Sequence, residues 1–209
     1  MKRLLKNLLW LLTAQGRAKR MLFSVKLGVG DIAIDCGANI GDITQHLQKN
    51  GATVYCFEPN PYAFKALKKR FLANPKVHCF EKGVFDRNDR VKLYFHELSD
   101  SDELYWSTGS SMLDFKGNIL KDKYTTIQVI DLCAFIRTLH SRVRLLKMDV
   151  EGAECPILKK LIETGLINRI DYLFVETHDR KIPELQPETE EIRRLVKFNN
   201  LLNVNLHWE

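Results

Sequence analysis

The stretch DIAIDCGANIGD, residues 31–42, passes from an apolar run through an acid straight into a turn of small residues. Ile32 and Ile34 are β-branched and Ala33 is small, which suits a strand buried on both faces. Gly37 and Gly41 bracket a turn where a ligand can approach bare backbone. The helix that follows would point its unsatisfied N–H groups at that ligand. A dinucleotide fingerprint needs glycines at relative positions one, three and six. Counted from Gly37, the chain supplies glycine, Asn39 and Asp42, so two of the three positions depart from that pattern.

From residue 31 onward the chain alternates strand and helix, with no low complexity and no repeat. The spacing predicts a helix over about 42–50, stopped by Gly51, then a strand in TVYCFEP (53–59). Asn60-Pro61 reads as the cap and first turn of a helix whose Phe64, Leu67 and Phe71 share one face. VHCFEKGV (77–84) is predicted as the third strand, and VKLYFH (91–96) and YTTIQVID (124–131) as further extended runs. A helix with Leu132, Phe135, Ile136 and Leu139 at helical spacing follows, then VRLLKMDV (143–150) as a fourth parallel-type strand. Pro156 sits in the first turn of a helix that runs to Gly165, and YLFVETH (172–178) is a fifth strand. The last helix starts near Pro187 with Glu188, Glu190 and Glu191, and NVNLHW (203–208) closes the chain as a short strand. The expected architecture is α/β, a mostly parallel central sheet with helices on both faces and an N-terminal helical arm.

At 209 residues with 45% apolar side chains, the chain has material for one domain with decoration and a full core. Five cysteines, widely spaced and without a CxxC pair, read as reduced and buried thiols of a cytosolic protein. The net charge of +6 is concentrated in residues 1–30, which hold seven basic side chains and no acid; the rest carries 25 basic against 26 acidic residues. The apolar run of the arm is far shorter than the ~20 residues that span a bilayer. On a helix, Leu4, Leu5, Leu8, Leu11 and Leu12 form one face with Lys2 and Lys6 towards the other side. The arm, residues 1–28, is read as an amphipathic cap on the fold or as an element that lies on an anionic membrane or partner. A minimal signal peptide, with Lys2–Lys6 as n-region and Leu8–Ala14 as h-region, is the alternative.

Glu58 ends the second strand 23 residues after Asp35, near the ~20-residue offset at which a carboxylate accepts both ribose hydroxyls in this architecture. Asp149, Glu151, Glu154, Glu176 and His178 all fall at the carboxyl ends of the fourth and fifth strands, where the ligand crevice of a doubly wound sheet opens.

LKMDVEGAE (146–154) and FVETH (174–178), together with DCGANIGD (35–42) and CFEPNP (56–61), resemble the FkbM family of methyltransferases from about residue 31 to the end of the chain. An acid two residues before the first glycine, Asp35 ahead of Gly37, with Asn39 inside the turn, is similar to the first motif of S-adenosylmethionine-dependent methyltransferases. The resemblance implies a Rossmann-like class I methyltransferase fold over residues 29–209. It also implies S-adenosylmethionine as cofactor, held by Asp35, Gly37, Ala38, Asn39, Gly41, Glu58 and Val84, and methyl transfer to oxygen, commonly a sugar hydroxyl. GSSM (109–112) looks like a serine-containing stretch near the family's active site. The tail after residue 200 has room for one strand, whereas the general fold ends in an antiparallel pair, so the far edge of the sheet is expected to be reduced or rearranged. Asn-Pro-Tyr at 60–62 resembles the motif of base-nitrogen methyltransferases, but there it would follow the fourth strand.

Methyl transfer requires the acceptor oxygen to be held roughly 3–3.5 Å from the methyl carbon while a weakly acidic proton leaves. Asp149, Glu176 and His178 are the expected catalytic residues, with His178 the best base by intrinsic pKa. Glu154 also reads as a helix cap and Glu151 as a turn residue, with Glu151 further expected at the substrate. The segment 97–123 is the longest without a clear element and reads as an acceptor lid with Trp106, Ser110 and Ser111 at the substrate. A divalent metal is not required by any spacing motif; a metal-assisted variant would draw on Asp149, Glu176 and His178. The expected partner is a small-molecule or glycan acceptor in the cytoplasm, with peripheral membrane contact through the arm as an option. A nucleic-acid methyltransferase with the basic arm as tether is the alternative, disfavoured by a catalytic half without basic excess. A non-catalytic module is disfavoured because Asp35, Gly37, Gly41, Glu58 and Asp149 are intact.

Overall fold

The computed structural model describes residues 13–208. Its central sheet has six strands in the order β3-β2-β1-β7-β8-β9, every neighbouring pair parallel. These are β1 (Ile32–Cys36), β2 (Thr53–Phe57), β3 (Val77–Phe80), β7 (Val143–Met148), β8 (Ile170–Val175) and β9 (Val204–Asn205). The chain winds outward from β1 to β3 and resumes on the other side of β1 at β7. The crevice beyond the carboxyl ends of β1 and β7 is therefore the topological switch point, where α/β sheets bind ligands.

Alternation along the strands supplies two apolar faces. Ile34, Cys36, Leu146, Met148, Leu173 and Val175 pack against α4 (Leu132–Thr138), α5 (Glu154–Glu163) and α6 (Gln186–Phe198). Ala33, Val54, Leu145 and Phe174 face the other way, onto α1 (Ala14–Ser24) and α2 (Asp42–Gln48), while α3 (Pro61–Phe71) covers Cys56 and Val77 with Phe64, Leu67 and Phe71. Each fully buried Leu, Ile or Phe contributes about 1.5–3 kcal/mol. Asn60 caps α3 as its sequence signals, its side chain accepting from the N–H groups of Tyr62 and Ala63, with Pro61 in the first turn.

Three expectations about elements need correction. VHCFEKGV is two strands: β3 stops at Phe80, and Gly83–Phe85 forms β4 in a separate sheet. That second sheet, β4-β6-β5, joins β5 (Asp89–His96) antiparallel to a 13-residue β6 (Ile119–Asp131), which begins well before Tyr124. The presumed long loop 97–123 thus shrinks by five residues at its end and contains a 3-10 turn at Tyr105–Gly109. At the far edge β9 is only two residues long, and Trp208 turns inward to pack with Leu22.

Of the basic arm, the face formed by Leu4, Leu5, Leu8, Leu11 and Leu12 with Lys2 and Lys6 lies outside the described residues. In the described part, Thr13 caps α1 through Gly16 N–H, and Ala18 and Leu22 are buried. Among the described residues no helix is long and apolar enough to cross a membrane. The five cysteines are free thiols.

Candidate active site

A cavity of about 310 Å³ opens at the switch point, at the lower end of the range for small-molecule sites. Its wall includes Gly37, Asn39, Glu58 and Val84 on the β1–β2 side and Asp149, Glu151, Glu176 and Lys181 on the β7–β8 side. β2 and β8 are three strand spacings apart, so Glu58 and Glu176 bound a slot roughly 14 Å long.

On the β2 side the backbone is drawn tight. The N–H groups of Gly37 and Ala38 both donate to the Phe57 carbonyl, at 3.0 Å. Glu58 Oε2 accepts from Asn39 N–H at 2.7 Å and Oε1 from Asn60 N–H at 2.8 Å. Asn39 needs a positive φ (48°) to reach this position, a conformation asparagine tolerates better than most residues. Glu58 is buried, and burial pushes its carboxyl up to about 7, against the two backbone N–H groups and Lys147, which favour the charge. A buried carboxylate held open by its own backbone is well suited to accept hydroxyl donors from a ribose.

Asp35, Ala38 and Gly41, expected at the cofactor, do not line the cavity. Asp35 is fully buried one layer behind it: Oδ2 accepts from Thr44 Oγ1 at 2.6 Å, and Oδ1 lies 3.7 Å from Lys147 Nζ. Burial raises its pKa, opposed by Lys147 and Thr44. Ala38 packs with Cys56 and Phe64. Gly41 is glycine because a Cβ would sit 2.5 Å from the Phe71 ring and 2.7 Å from Leu67. Gly37 does line the cavity, yet its lack of a side chain is also imposed from behind, since a Cβ would fall 1.8 Å from the Asp149 carbonyl oxygen.

That close approach is tied by a lysine that the sequence reading passed over as part of a strand. Lys147 Nζ, almost fully buried, donates to the carbonyls of Gly37 (2.8 Å) and Cys36 (3.3 Å) and pairs with Asp149 Oδ2 at 3.3 Å. Burial disfavours its charge, but Asp149 and Asp35 outweigh that and raise its pKa. For Asp149 burial works against ionisation too, and Lys147 and His178 overcome it and hold the pKa below the usual carboxylate range.

Asp149, Glu151 and Glu176 reach the cavity; His178 lies behind them, 1% exposed. Its Nε2 is 3.4 Å from Glu151, 3.6 Å from Glu176 and 3.8 Å from Asp149. Nδ1 sits 2.9 Å from Glu154 Oε1, off the line that a straight hydrogen bond needs. Burial alone would depress this imidazole, but Glu154, Glu151 and Asp149 raise it to about 9. Glu154 does not cap its helix with its side chain; its Oε1 accepts from Val150 and Gly152 N–H, holding the turn before α5. Glu151 in that turn has φ 56°, a strained state that recurs at functional sites. Burial raises the pKa of Glu151 against His178 and Lys116, and that of Glu176, helped by Asp149, against Lys181 and His178.

The 105–118 segment is clasped over both sides of the slot. Asn39 Nδ2 donates to Ser107 Oγ (2.9 Å), Asn60 Nδ2 to Ser110 Oγ (3.0 Å), and Ser111 Oγ donates to the Glu151 carbonyl (2.9 Å). Lys116 Nζ bridges Gly109 O and Glu151 Oε2 at 2.9 and 2.7 Å. Ser110 and Ser111 thus line the cavity with hydroxyls already engaged by the protein. Trp106, expected at the substrate, does not line it; the indole stacks on His96 with ring centroids 4.4 Å apart. Ser107, Lys116, Lys147 and Lys181 were missed. Only Lys147 left a signal, as a second charge after Arg144 inside a mostly apolar strand.

Residues 35–201 match the family described as Methyltransferase FkbM domain. Among curated proteins the chain is similar to 2-O-methyltransferase NoeI of Sinorhizobium fredii, 25% identical over 186 residues, covering 83% of this chain and 74% of that protein. Among solved structures it is similar to an rRNA methylase from Streptococcus thermophilus, at 12% identity and TM-score 0.45 over 83% of this chain and 76% of the other.

Proposed function

The chain belongs to the FkbM methyltransferase family, and on that premise we propose that it moves a methyl group from S-adenosylmethionine to a sugar hydroxyl of a glycan, polysaccharide or natural product. The observation that carries this reading is one cavity joining a buried ribose-type carboxylate, Glu58, to the carboxylates Asp149, Glu151 and Glu176. The relative named as a 2-O-methyltransferase supports oxygen as the acceptor atom.

The residues present fit the cofactor. Glu58 offers both oxygens to ribose hydroxyls, and Phe57, Val84 and Leu93 supply apolar wall. When bound, S-adenosylmethionine supplies a methyl carbon made electrophilic by the positive charge on its sulfur. The carboxylates beyond β7 and β8 attract that charge before transfer and lose the attraction afterwards, which favours release of the product. Glu176 faces the cavity with a raised pKa, and Lys181 Nζ holds its Oε1 at 2.7 Å. We assign it the acceptor hydroxyl's proton as the oxygen–methyl bond forms. Asp149, kept ionised by Lys147, accepts a hydrogen bond that orients the acceptor. His178 does not touch the cavity and acts as a positioning residue behind the carboxylates.

The working unit takes in α1, because Ala18, Leu22 and Leu27 are buried against the sheet, and operates in the cytoplasm; the leucine face and lysines of residues 1–12 are the docking element for an anionic membrane. Incubation with methyl-labelled cofactor and separate pools of oligosaccharide, lipid-linked glycan and RNA tests the assignment. Label is expected in a sugar methyl ether; label in RNA alone would overturn the acceptor class.

A further inference from the structure

The carboxylates beyond β7 and β8 outnumber the cations that face them. Asp149, Glu151, Glu154 and Glu176, with Asp35 of β1 buried behind them, meet the ammonium groups of Lys116, Lys147 and Lys181, with Lys147 divided between Asp35 and Asp149. With a protonated His178 the cluster is one positive charge short, and with the neutral imidazole that a metal ligand must present it is two short, in a setting where unpaired charge is costly. One ligand atom each from Asp149, Glu151 and His178 lie within 4.8 Å of one another. Independently, His178 Nε2 is buried, makes no hydrogen bond and is aimed into this cluster.

Glu154 completes the pattern. Its Oε1 lies 2.9 Å from the other ring nitrogen, Nδ1, and is fixed by the N–H groups of Val150 and Gly152. At 2.9 Å, though off the straight line of a hydrogen bond, this carboxylate favours by its charge the tautomer with the proton on Nδ1, which leaves Nε2 a lone pair as in metal-ligating histidines. The 3.4–3.8 Å between Nε2 and the carboxylate oxygens need close only slightly to become adjacent edges of a coordination shell with metal–ligand distances of about 2.1 Å. Glu151 Oε2, the oxygen 3.4 Å from Nε2, is also held by Lys116 Nζ at 2.7 Å, so a bound cation shares that oxygen with Lys116.

We propose that Asp149, Glu151 and His178 bind a divalent cation of the Mn²⁺ or Mg²⁺ class at the β7–β8 end of the cavity, with an acceptor hydroxyl oxygen as a further ligand. One imidazole and two carboxylates form a mixed donor set that Mn²⁺ accepts readily. The cation lowers the pKa of the oxygen it holds, so that Glu176 receives a proton from a more acidic group. This deepens the methyl-transfer reading and rests on it for the role, though not for the site.

Protein stripped with EDTA and titrated with Mn²⁺ alone, followed by the electron paramagnetic resonance signal of free Mn²⁺, tests the site without any turnover. One Mn²⁺ per chain at micromolar affinity is expected. Glu151→Gln and His178→Ala should weaken uptake at least about tenfold, and Glu154→Gln about 10–100-fold. Glu154→Gln preserves an acceptor for Val150 and Gly152 N–H and covers the case in which His178→Ala does not fold. Folded wild type that takes up no Mn²⁺ at millimolar concentration, or equal uptake by folded Glu151→Gln, overturns the site. Calorimetry of the stripped protein with S-adenosylhomocysteine separates the two readings: binding without Mn²⁺ uptake removes the cation alone, whereas Mn²⁺ uptake without cofactor binding removes the methyl-transfer reading and keeps the site.

Discussion

Lys147→Met replaces the ammonium that joins the β1 turn to the β7 end by an apolar chain of similar length. The loss can be worked from its contacts. Gly37 O loses its 2.8 Å donor, while Cys36 O keeps the Asp149 N–H at 3.1 Å. Asp35, fully buried, loses its facing cation, and Asp149 loses one of two. An orphaned carbonyl costs about 1–3 kcal/mol, and breaking a buried ion pair from one side about 3–5 kcal/mol. These overlap, because Asp35 relieves part of the cost by taking a proton, so about 3–5 kcal/mol in total is expected. For a chain of this size that lowers Tm by roughly 6–20 °C. Urea unfolding at neutral pH measures it, and the double variant with Asp35→Asn isolates the coupling. Asparagine can still accept from Thr44 through its carbonyl oxygen, so removing both charges should recover at least about 1 kcal/mol relative to the sum of the single variants. A loss below about 1 kcal/mol for Lys147→Met, or strict additivity, would refute the reasoning that this lysine compensates buried charge.

Burial raises the Glu58 carboxyl from its ordinary value of 4.5 to about 7. The folded chain holds the extra proton between those values, so its contribution to stability is full below pH 4.5 and fades as pH rises to about 7. Cofactor binding uses the ionised form, so affinity for S-adenosylhomocysteine should fall about tenfold per pH unit below 7; Glu58→Gln should abolish that slope in a pH series of calorimetric titrations. Glu176→Gln should lower turnover by about 10²–10⁴ with S-adenosylhomocysteine affinity nearly unchanged, checked in single-turnover assays with the identified acceptor. Gly37→Ala should cost several kcal/mol, because its Cβ meets backbone oxygen at 1.8 Å at a φ of +75°; a thermal melt equal to wild type would contradict the close approach of the β1 and β7 loops.

The parallel sheet was legible because its strands announce themselves locally. Ile32–Cys36 and Val143–Met148 are mostly apolar runs, interrupted by Asp35 and by Arg144 and Lys147, and each leads into a glycine-bearing turn, while Asn60-Pro61 caps α3 through its immediate neighbours. The second sheet was not legible, because its pairing joins residues some 40 apart, Asp89 with Val129, and no local pattern marks where β3 ends and β4 begins. Site residues followed the same division. Gly37, Asn39, Glu58, Asp149 and Glu176 stand at strand ends and line the cavity. Asp35 stands in the same motif, yet strand alternation turns it inward onto Thr44 and Lys147. Trp106 carries the chemistry of a sugar platform, but its partner, His96, is ten residues upstream on β5. Ser107 and Lys116 act through Asn39 and Glu151, 68 and 35 residues distant.

The central claim is that the cavity holds S-adenosylmethionine with its ribose on Glu58. Isothermal titration of wild type and Glu58→Ala with S-adenosylhomocysteine at pH 8 tests it directly. One ligand per wild-type chain is expected, with affinity about tenfold to a hundredfold weaker in Glu58→Ala, the loss of hydrogen bonds to a charged acceptor worth roughly 1.5–3 kcal/mol. Absence of wild-type binding at millimolar ligand, or equal affinity in a folded Glu58→Ala, would contradict the account.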